Sequence, residues 1–403
     1  MINPIEFAHG ALSDLRVLEL GTLLAGPFCG QLLGDMGAEV IKIEPPNQGD
    51  PMREWGRQKP GDPALWWPVV ARNKKAITLD LRQTEGQEIL KELVAKTDFL
   101  LENFRPGTME KWGLGYETLG AINPRLIMIR VSGFGQTGPY SRQAGYGSIG
   151  EAMGGLRYVV GDPSTPPSRV GISIGDSLAA TFACVGALSA LHYREKTGRG
   201  QVVDSAIYEA VLNIMESLIT EYDKSGFIRE RTGAILPNIA PSNVYPTLDG
   251  MILIGANQDS VFGRMCEAMG RPELAKDPDY CNHHARGTNQ TKLDELLGRW
   301  TATLPTREVL DLMNKHGVPA GLIYRAPDML IDPHFVARQA IVSVKHPKFG
   351  QLKMQNVAPK LSETPGGIRS SSPDMGQHNE AIYRDLLQFS TERLAGLKLK
   401  GVI

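Results

Sequence analysis

The sequence Leu15-Arg-Val-Leu-Glu-Leu20 is followed by a run rich in small residues, Ala25 to Met36, and then by Glu39-Val-Ile-Lys-Ile43. The first and third stretches are short and mostly apolar, as buried strands are, whereas the second is long enough for a helix. Parallel strands need a crossover connection, which is usually a helix. The start of the chain therefore predicts a parallel β-α-β unit.

The same alternation continues through the first third of the chain. Residues Thr84 to Lys96 have apolar side chains three and four positions apart, which is the spacing of an amphipathic helix. Further short apolar runs predict strands at Ala76–Leu79, Asp98–Leu101 and Leu126–Val131. Strands that alternate with helices favour an α/β fold, with a Rossmann-like parallel sheet covered by helices on both faces.

The rest of the chain predicts a second, smaller domain. A long apolar helix is expected from about Ser177 to Tyr193, ended by Thr197-Gly-Arg-Gly200, and it is followed by a strand (Gln201–Asp204) and a helix (Ser205–Lys224). Residues 226–250 are rich in proline and resemble a loop. We therefore expect the N-terminal part of a large α/β domain over residues 1–224, a small α+β domain over 225–325 and a C-terminal return to the large domain over 326–403.

The composition argues against several functions. The chain carries 43 Lys and Arg against 44 Asp and Glu, so it has no bulk charge to attract nucleic acid or an anionic membrane. No uninterrupted apolar run approaches about 18 residues, and residues 1–10 lack the basic and apolar segments of a secretory signal. The four cysteines are widely spaced, without a cluster of metal-ligating residues. We expect a cytoplasmic, disulfide-free protein without a bound metal.

Three short motifs compete for the functional site. Gly145-Tyr-Gly-Ser-Ile-Gly150 fits the G-x-G-x-x-G pattern of dinucleotide sites, but no strand pattern precedes it. Gly171-Ile-Ser-Ile-Gly175 fits the G-x-S-x-G pattern of serine hydrolases, with Ser173 as nucleophile, but its lead-in is a poor strand. Asp176 starts the long apolar helix, where it is either an N-cap or a carboxylate nucleophile that the helix dipole keeps ionised.

Motifs spread over nearly the whole chain decide between these readings. They are Val17–Gly21, Ala25–Pro27, Gly37–Glu44, Asn73–Lys75, Glu102–Gly107, Gly113–Tyr116, Gly133–Pro139, Gly175-Asp176, Lys196–Gln201 and Gly376–His378. In their order and spacing they resemble the class III CoA-transferases, the family of formyl-CoA and carnitine CoA-transferases. The resemblance implies an acyl-CoA:carboxylate CoA-transferase that acts on an acyl-CoA and a small carboxylic acid and holds no permanent cofactor.

The resemblance assigns covalent catalysis to Asp176, which would carry the acyl group as a mixed anhydride and then CoA as an aspartyl thioester. Tyr146 falls where the family places a tyrosine close to the nucleophile. A racemase branch of the same superfamily uses a histidine there as its second base. Because tyrosine has a pKa of about 10, it is a poor base, which favours the transferase.

The resemblance also implies contacts with coenzyme A. The implied residues are Leu24 and Ala25, Leu79 and Arg82 near the nucleotide, Asn103 and Phe104 along the pantetheine, and Lys111 and Trp112 near the phosphates or adenine. The chain departs from formyl-CoA transferase at three places, one of which is Gly147, where that enzyme has an acid. Pro45 replaces a basic residue, and Gly233–Pro237 replaces a run of glycines, so the acceptor side is expected to differ.

Succinyl-CoA is the expected donor and a small dicarboxylic acid the expected acceptor. Arg142, Arg157 and Arg169 are candidates to bind the second carboxylate of that acid. The resemblance further implies an interlocked homodimer. A racemase, a serine hydrolase that uses Ser173 and a non-catalytic acyl-CoA-binding protein remain the alternatives.

Overall fold

A computed structural model of the chain describes residues 10–59 and 61–403. The chain forms two compact units. The first contains the described residues up to Leu156 together with Val170–Ser217 and Ala337–Ile403, and the second contains Arg157–Arg169 and Leu218–Val336. The boundaries expected at residues 224 and 325 fall inside the second unit, which also takes residues 157–169 from the middle of the expected large domain.

The strands belong to three sheets. They are β1 (Arg16–Glu19), β2 (Glu39–Glu44), β3 (Lys74–Thr78), β4 (Phe99–Glu102), β5 (Ile127–Ser132), β6 (Val202–Ala206), β7 (Ser242–Pro246), β8 (Met251–Gly255), β9 (Ala320–Leu322), β10 (Ile341–His346) and β11 (Gly350–Gln355). The first six form one sheet in the order β3-β2-β1-β4-β5-β6, with every neighbouring pair parallel. This is the strand order of a Rossmann fold, so the predicted α/β architecture is confirmed.

The helices connect these strands. They are α1 (Ala25–Asp35), α2 (Trp66–Val70), α3 (Thr84–Val94), α4 (Thr108–Lys111), α5 (Tyr116–Ile122), α6 (Gly147–Met153), α7 (Leu156–Val159), α8 (Ile174–Thr197), α9 (Ile207–Asn213), α10 (Leu218–Ser225), α11 (Asp259–Ala268), α12 (His283–Thr288), α13 (Gln290–Thr301), α14 (Thr306–Lys315), α15 (Ala326–Ile331), α16 (Pro333–Ala337) and α17 (Thr391–Leu399). Short turns of tighter or wider helix cover Pro51–Arg53, Pro272–Lys276 and Glu380–Leu386.

The six-stranded sheet has a hydrophobic core on each face. Successive strand residues point to opposite faces, and accordingly Val17 packs in one core while Leu18 packs in the other. The first core is covered by α1 and α8, and the second by α3, whose Ile89 and Leu93 are fully buried. Strands buried on both faces explain why their sequences read as apolar runs without alternation.

Helix α8 presents two different faces. Ala179, Ala183 and Ala187 are fully buried and pack in the core on the α1 side of the sheet, whereas Val185 on the opposite side is 56% exposed. By length and composition alone α8 could cross a membrane, although the sequence shows no unbroken apolar run of that length. Gly198, in the left-handed conformation with φ 74°, ends the helix at the predicted place.

Two predictions of secondary structure are wrong. The helix expected over 205–224 is two helices, α9 and α10, which are separated where Glu216 has a left-handed backbone with φ 53°. Its expected first residue, Ser205, belongs to strand β6. The expected loop at 226–250 contains β7, which pairs with β8 in the three-stranded sheet β7-β8-β9 of the second unit. Neither the break at Glu216 nor the pairing of β7 with β8 had a signal in the pattern of nearby residues.

Candidate active site

A cleft lies at the carboxyl edge of the six-stranded sheet, where the chain leaves strands β1 to β4. It has a volume of about 190 Å³ and is lined by Leu20, Thr22, Ile43, Glu44, Pro45, Gln48, Leu79, Asp80, Leu81, Arg82, Phe104 and Trp112. Open α/β sheets bind ligands at this edge, near the point where the strand order reverses, which here is between β1 and β4. The fold thus gathers four of the predicted CoA contacts (Leu79, Arg82, Phe104 and Trp112) in one cleft.

Two aromatic rings form one wall of the cleft. The rings of Phe104 and Trp112 meet edge to face, with centroids 5.4 Å apart, and both side chains are half-buried. The amide of Phe104 donates to Glu102 Oε2 at 2.7 Å, and the buried Glu102 in turn accepts from Arg130 Nε at 2.7 Å. Because the backbone and both rings are held, this wall is a rigid apolar surface that suits a flat purine ring.

Arg82 is the cationic side chain among the cleft residues. Its Nε lies 3.0 Å from Asp80 Oδ1, and its side chain is 62% exposed. Although burial acts in the opposite direction, hydrogen bonds from Arg82 hold the pKa of Asp80 below its ordinary value. Lys111 is exposed and does not line the cleft, and Pro45 supplies no charge there. A phosphate at this edge would therefore meet Arg82 first.

Asn103 shapes the loop between β1 and α1. Its Oδ1 accepts from the Thr22 amide at 2.8 Å, and its Nδ2 donates to the Thr22 carbonyl at 2.9 Å. Leu24 immediately precedes α1, and Ala25 is buried. Asn103, Leu24 and Ala25 do not line the cleft, so their direct contact with coenzyme A stays a prediction.

A buried charge network beneath that loop was missed from the sequence. Lys42 Nζ lies 2.7 Å from Asp50 Oδ2 and 3.3 Å from Glu19 Oε1, while Lys74 Nζ lies 2.7 Å from Glu19 Oε2. Asp50 Oδ1 also accepts from the Leu23 amide at 3.1 Å, which anchors the loop. The four charged side chains are at most 2% exposed. The available signal was a lysine between two isoleucines in strand β2.

Asp176 is the third residue of α8, not its N-cap. The residue that precedes the helix is Ser173, so the N-cap interpretation is wrong, and the helix starts three residues before the expected start at about Ser177. The physical reason is a side chain from α6: buried Glu151 accepts from the Gly175 amide at 3.4 Å and thus satisfies a helix-end donor. Asp176 is half-buried in the first turn of a long helix, where the helix dipole stabilises negative charge, and its role as nucleophile stays a prediction.

Gly147, the first residue of α6, lies directly against the Asp176 carboxylate. A Cβ atom at Gly147 would collide with Asp176 Oδ2 and lie 2.7 Å from its Cγ, so a larger residue at this position would displace the Asp176 carboxylate. The preceding residue, Tyr146, is 68% exposed. The structure therefore places the two predicted catalytic residues next to each other through Gly147, with Asp176 packed and Tyr146 open to solvent.

Asp176 lies at the same edge of the sheet as the cleft. Helix α8 runs antiparallel to the strands, because Arg194 near its end bonds to Asp98, the residue before β4, at 2.9 Å. Near its start, the Ala179 carbonyl accepts from the Ser205 hydroxyl, toward the carboxyl end of β6, at 2.9 Å. The first turn of α8 is consequently at the carboxyl edge, where the cleft also opens.

The two competing motifs lack the element that each requires. Residues 133–146 and 160–173, all of which the structure describes, form no strand. A nucleophile elbow needs a strand before its serine, and a dinucleotide site needs a strand before its first glycine. Neither Ser173 nor Gly145–Gly150 is therefore in the setting of its motif.

The arginines proposed for a second carboxylate are divided between the units. Arg142 belongs to the first unit, where it is exposed, whereas Arg157 and Arg169 belong to the second. Residues Gly233–Pro237, which replace the glycine run, are also in the second unit and form no helix or strand. Their part in acceptor binding stays a prediction.

Comparison with known proteins identifies the family of the chain. The sequence model of CoA-transferase family III matches residues 12–379. The chain is 61% identical to succinyl-CoA–D-citramalate CoA-transferase of Chloroflexus aurantiacus, over 97% of this chain and 98% of that protein. It is 40% identical to the succinyl-CoA–L-malate CoA-transferase beta subunit of the same organism, over 97% of this chain and 98% of that subunit.

A solved structure shares the fold. The crystal structure of a CAIB/BAIF family protein from Brucella suis matches with a TM-score of 0.82 and 35% identity, covering 94% of this chain and all of that one. The chain belongs to CoA-transferase family III, and the protein is an enzyme that transfers coenzyme A between an acyl-CoA and a carboxylate.

Proposed function

We propose that the protein transfers coenzyme A from succinyl-CoA to a small hydroxy-dicarboxylic acid of the D-citramalate type, with Asp176 as covalent nucleophile. The observation that carries the mechanism is the half-exposed Asp176 carboxylate in the first turn of α8, at the edge where the cleft opens. The names of the two relatives support the donor and the class of acceptor.

The proposed reaction has two symmetrical halves. An Asp176 oxygen attacks the thioester carbonyl of succinyl-CoA, the C–S bond breaks, and CoA thiolate leaves a succinyl-aspartyl anhydride. The thiolate then attacks the aspartyl carbonyl, which releases succinate and leaves an aspartyl-CoA thioester. The acceptor carboxylate reverses the sequence, and Asp176 is regenerated. Each step exchanges one activated acyl bond for another, so the thioester energy is conserved.

The cleft is the proposed site of the nucleotide part of the acyl-CoA. The Phe104–Trp112 wall would pack on the adenine ring, and Arg82 would meet a phosphate. Because Arg82 is mostly exposed, its pairing with Asp80 leaves its guanidinium open to a phosphate from solvent. Glu44, which also lines the cleft, is neutralised by Arg53, whose Nη2 lies 2.6 Å from Glu44 Oε1.

The choice of acceptor is tested by isotope exchange. With labelled succinate and unlabelled succinyl-CoA, we expect label in the CoA pool, and we expect D-citramalate and L-malate to compete for transfer. Both should react at least about tenfold faster than formate, the factor that one charge-assisted hydrogen bond to a second carboxylate supplies. A preference for formate would contradict the proposed acceptor, and binding of CoA without exchange would show a non-catalytic protein.

We also propose that the protein is a homodimer in which a second copy covers the exposed side of α8. Phe182, Val185 and Leu188 on that side are 38%, 56% and 41% exposed, while the alanine face is buried on the sheet. A helix that crosses lipid would be apolar on all sides, and one of its sides would not pack against the core of an α/β sheet. Sedimentation without detergent should give twice the chain mass of 44.0 kDa, and a monomer would refute the dimer.

A further inference from the structure

Strand β3 is an edge strand of the six-stranded sheet, and its outer backbone groups need partners. The C-terminal segment supplies them. The Ala76 amide donates to His378 Nδ1 at 3.1 Å, and the Ala76 carbonyl accepts from the His378 amide at 2.9 Å. The Thr78 amide donates to Asn379 Oδ1 at 2.9 Å, and the Thr78 carbonyl accepts from the Tyr383 hydroxyl at 2.6 Å. These contacts close the edge along β3.

The contacts continue beyond β3 into the wall of the cleft. The Asp80 amide donates to the Val402 carbonyl at 2.8 Å, and Gln83 Nε2 donates to the Gly401 carbonyl at 3.2 Å. Val402 is fully buried in the same core cluster as Leu79. Since residues 79–82 line the cleft, the chain end supports that wall from behind.

These contacts give a structural role to the motif Gly376-Gln-His378, which takes no part in the proposed reaction. Gly376 has a left-handed backbone with φ 66°, and a Cβ there would lie 3.2 Å from Asn379 Nδ2. Gln377 Oε1 accepts from the Asp374 amide at 2.8 Å, which closes the same turn. The turn delivers His378 and Asn379 to β3, so the motif serves the edge of the sheet.

We propose that residues 376–403, which we call the edge latch, are a positioning element for acyl-CoA. The latch holds β3 and the wall 79–82 in the conformation that forms the cleft. This inference rests on the proposed function in one respect, namely that the cleft binds the acyl-CoA. Because ligand binding and latch docking favour the same conformation, each strengthens the other by the same factor.

Tyr383→Phe tests the latch, because it removes a buried hydroxyl that bonds to Thr78 and keeps the ring. We expect the KM for succinyl-CoA to rise about tenfold, the factor of one hydrogen bond lost from a buried carbonyl. The kcat should stay within about twofold, because Asp176 is untouched. Tyr245→Phe is the matched control: it removes a buried hydroxyl bonded to Asp294 Oδ1 at 2.5 Å in the second unit, and its KM should be unchanged.

Amide hydrogen exchange on the unmodified enzyme gives a second measurement. Coenzyme A should slow exchange at Ala76, Thr78 and Asp80, whose amides bond to the latch, and leave the amides of β8 unchanged. Either a wild-type KM in Tyr383→Phe or unchanged exchange at these three amides would overturn the latch.

Trp112→Ala distinguishes an error in the latch proposal from an error in the assignment of the cleft as the acyl-CoA site. Loss of the aromatic wall should raise the KM for succinyl-CoA about tenfold, as loss of base stacking on an aromatic ring does. If Trp112→Ala raises the KM and Tyr383→Phe does not, the cleft assignment stands and the latch is wrong. If neither variant changes the KM, the cleft is not the acyl-CoA site and both proposals are wrong.

Discussion

Replacing Asp176 by asparagine should reduce CoA exchange between succinyl-CoA and labelled succinate by at least about 1,000-fold, because the amide cannot attack a thioester. Asparagine has the shape of aspartate, so the tight contact with Gly147 should survive and the protein should stay folded. Asp311→Asn, at an exposed carboxylate on α14, is the matched control and should keep full activity. Initial rates of exchange at saturating succinyl-CoA are the measurement.

A chemical trap identifies the residue that carries the acyl group. Hydroxylamine attacks an aspartyl anhydride or thioester and leaves a hydroxamate, which peptide mass spectrometry should find at Asp176 only when succinyl-CoA is present. Ser173→Ala should remain active. CoA exchange above one-tenth of the wild-type rate in Asp176→Asn would contradict the covalent aspartate mechanism. A fluorophosphonate adduct on Ser173 with loss of activity would contradict it as well.

Replacing Lys42 by methionine should lower the free energy of unfolding by about 3–5 kcal/mol, the cost of removing one partner from a buried charge pair. The variant leaves Asp50 without its lysine and Glu19 with Lys74 alone, all within the interior. Burial disfavours the charged form of Lys42, but the attraction of Asp50 and Glu19 for that charge is larger, and the pKa of Lys42 is raised. Because the folded pKa is above the unfolded one, this stability is complete at neutral pH and is lost only as the pH rises through the folded pKa.

Urea unfolding at pH 7 measures this effect, with Lys75→Met as the control. Lys75, on the neighbouring strand β3, is also paired with a glutamate, Glu39, but its side chain is 44% exposed. Its loss should therefore lower the free energy of unfolding by less than about 1 kcal/mol. Adding Asp50→Asn to Lys42→Met should recover part of the stability, because it removes the unpaired charge. Equal effects of Lys42→Met and Lys75→Met would contradict the role given to the network.

The network matters for the site as well as for stability. Lys42 donates to the Gly21 carbonyl and Asp50 accepts from the Leu23 amide, so two ends of one ion pair hold the β1–α1 loop. Leu23 has a left-handed backbone with φ 63°, a conformation that needs such support. Loosening this loop would also disturb Thr22, which lines the cleft.

The order of strands and helices in the first unit could be predicted because each buries its own apolar residues in a regular pattern. Thr84 to Lys96 and Glu39 to Ile43 carried that pattern clearly, and both lie within a residue or two of the predicted bounds. The break at Glu216 carried no pattern, since neither glycine nor proline marks it. Strand β7 was missed because Ser242–Pro246 is a strand only through its pairing with β8.

By itself, the sequence determined that the chain is an α/β protein, that it resembles one family of CoA-transferases and that Asp176 lies close to the start of a long helix. The tertiary structure alone decided that Glu151 of α6 accepts from the Gly175 amide in the first turn of that helix. It also decided that Leu79, Arg82, Phe104 and Trp112 share one cleft and that residues 376–403 close the edge behind it. The reason is that periodicity records only how each element buries its own side chains, whereas these contacts join separate elements, from 24 positions apart for Glu151 and Gly175 to 301 for Thr78 and Asn379.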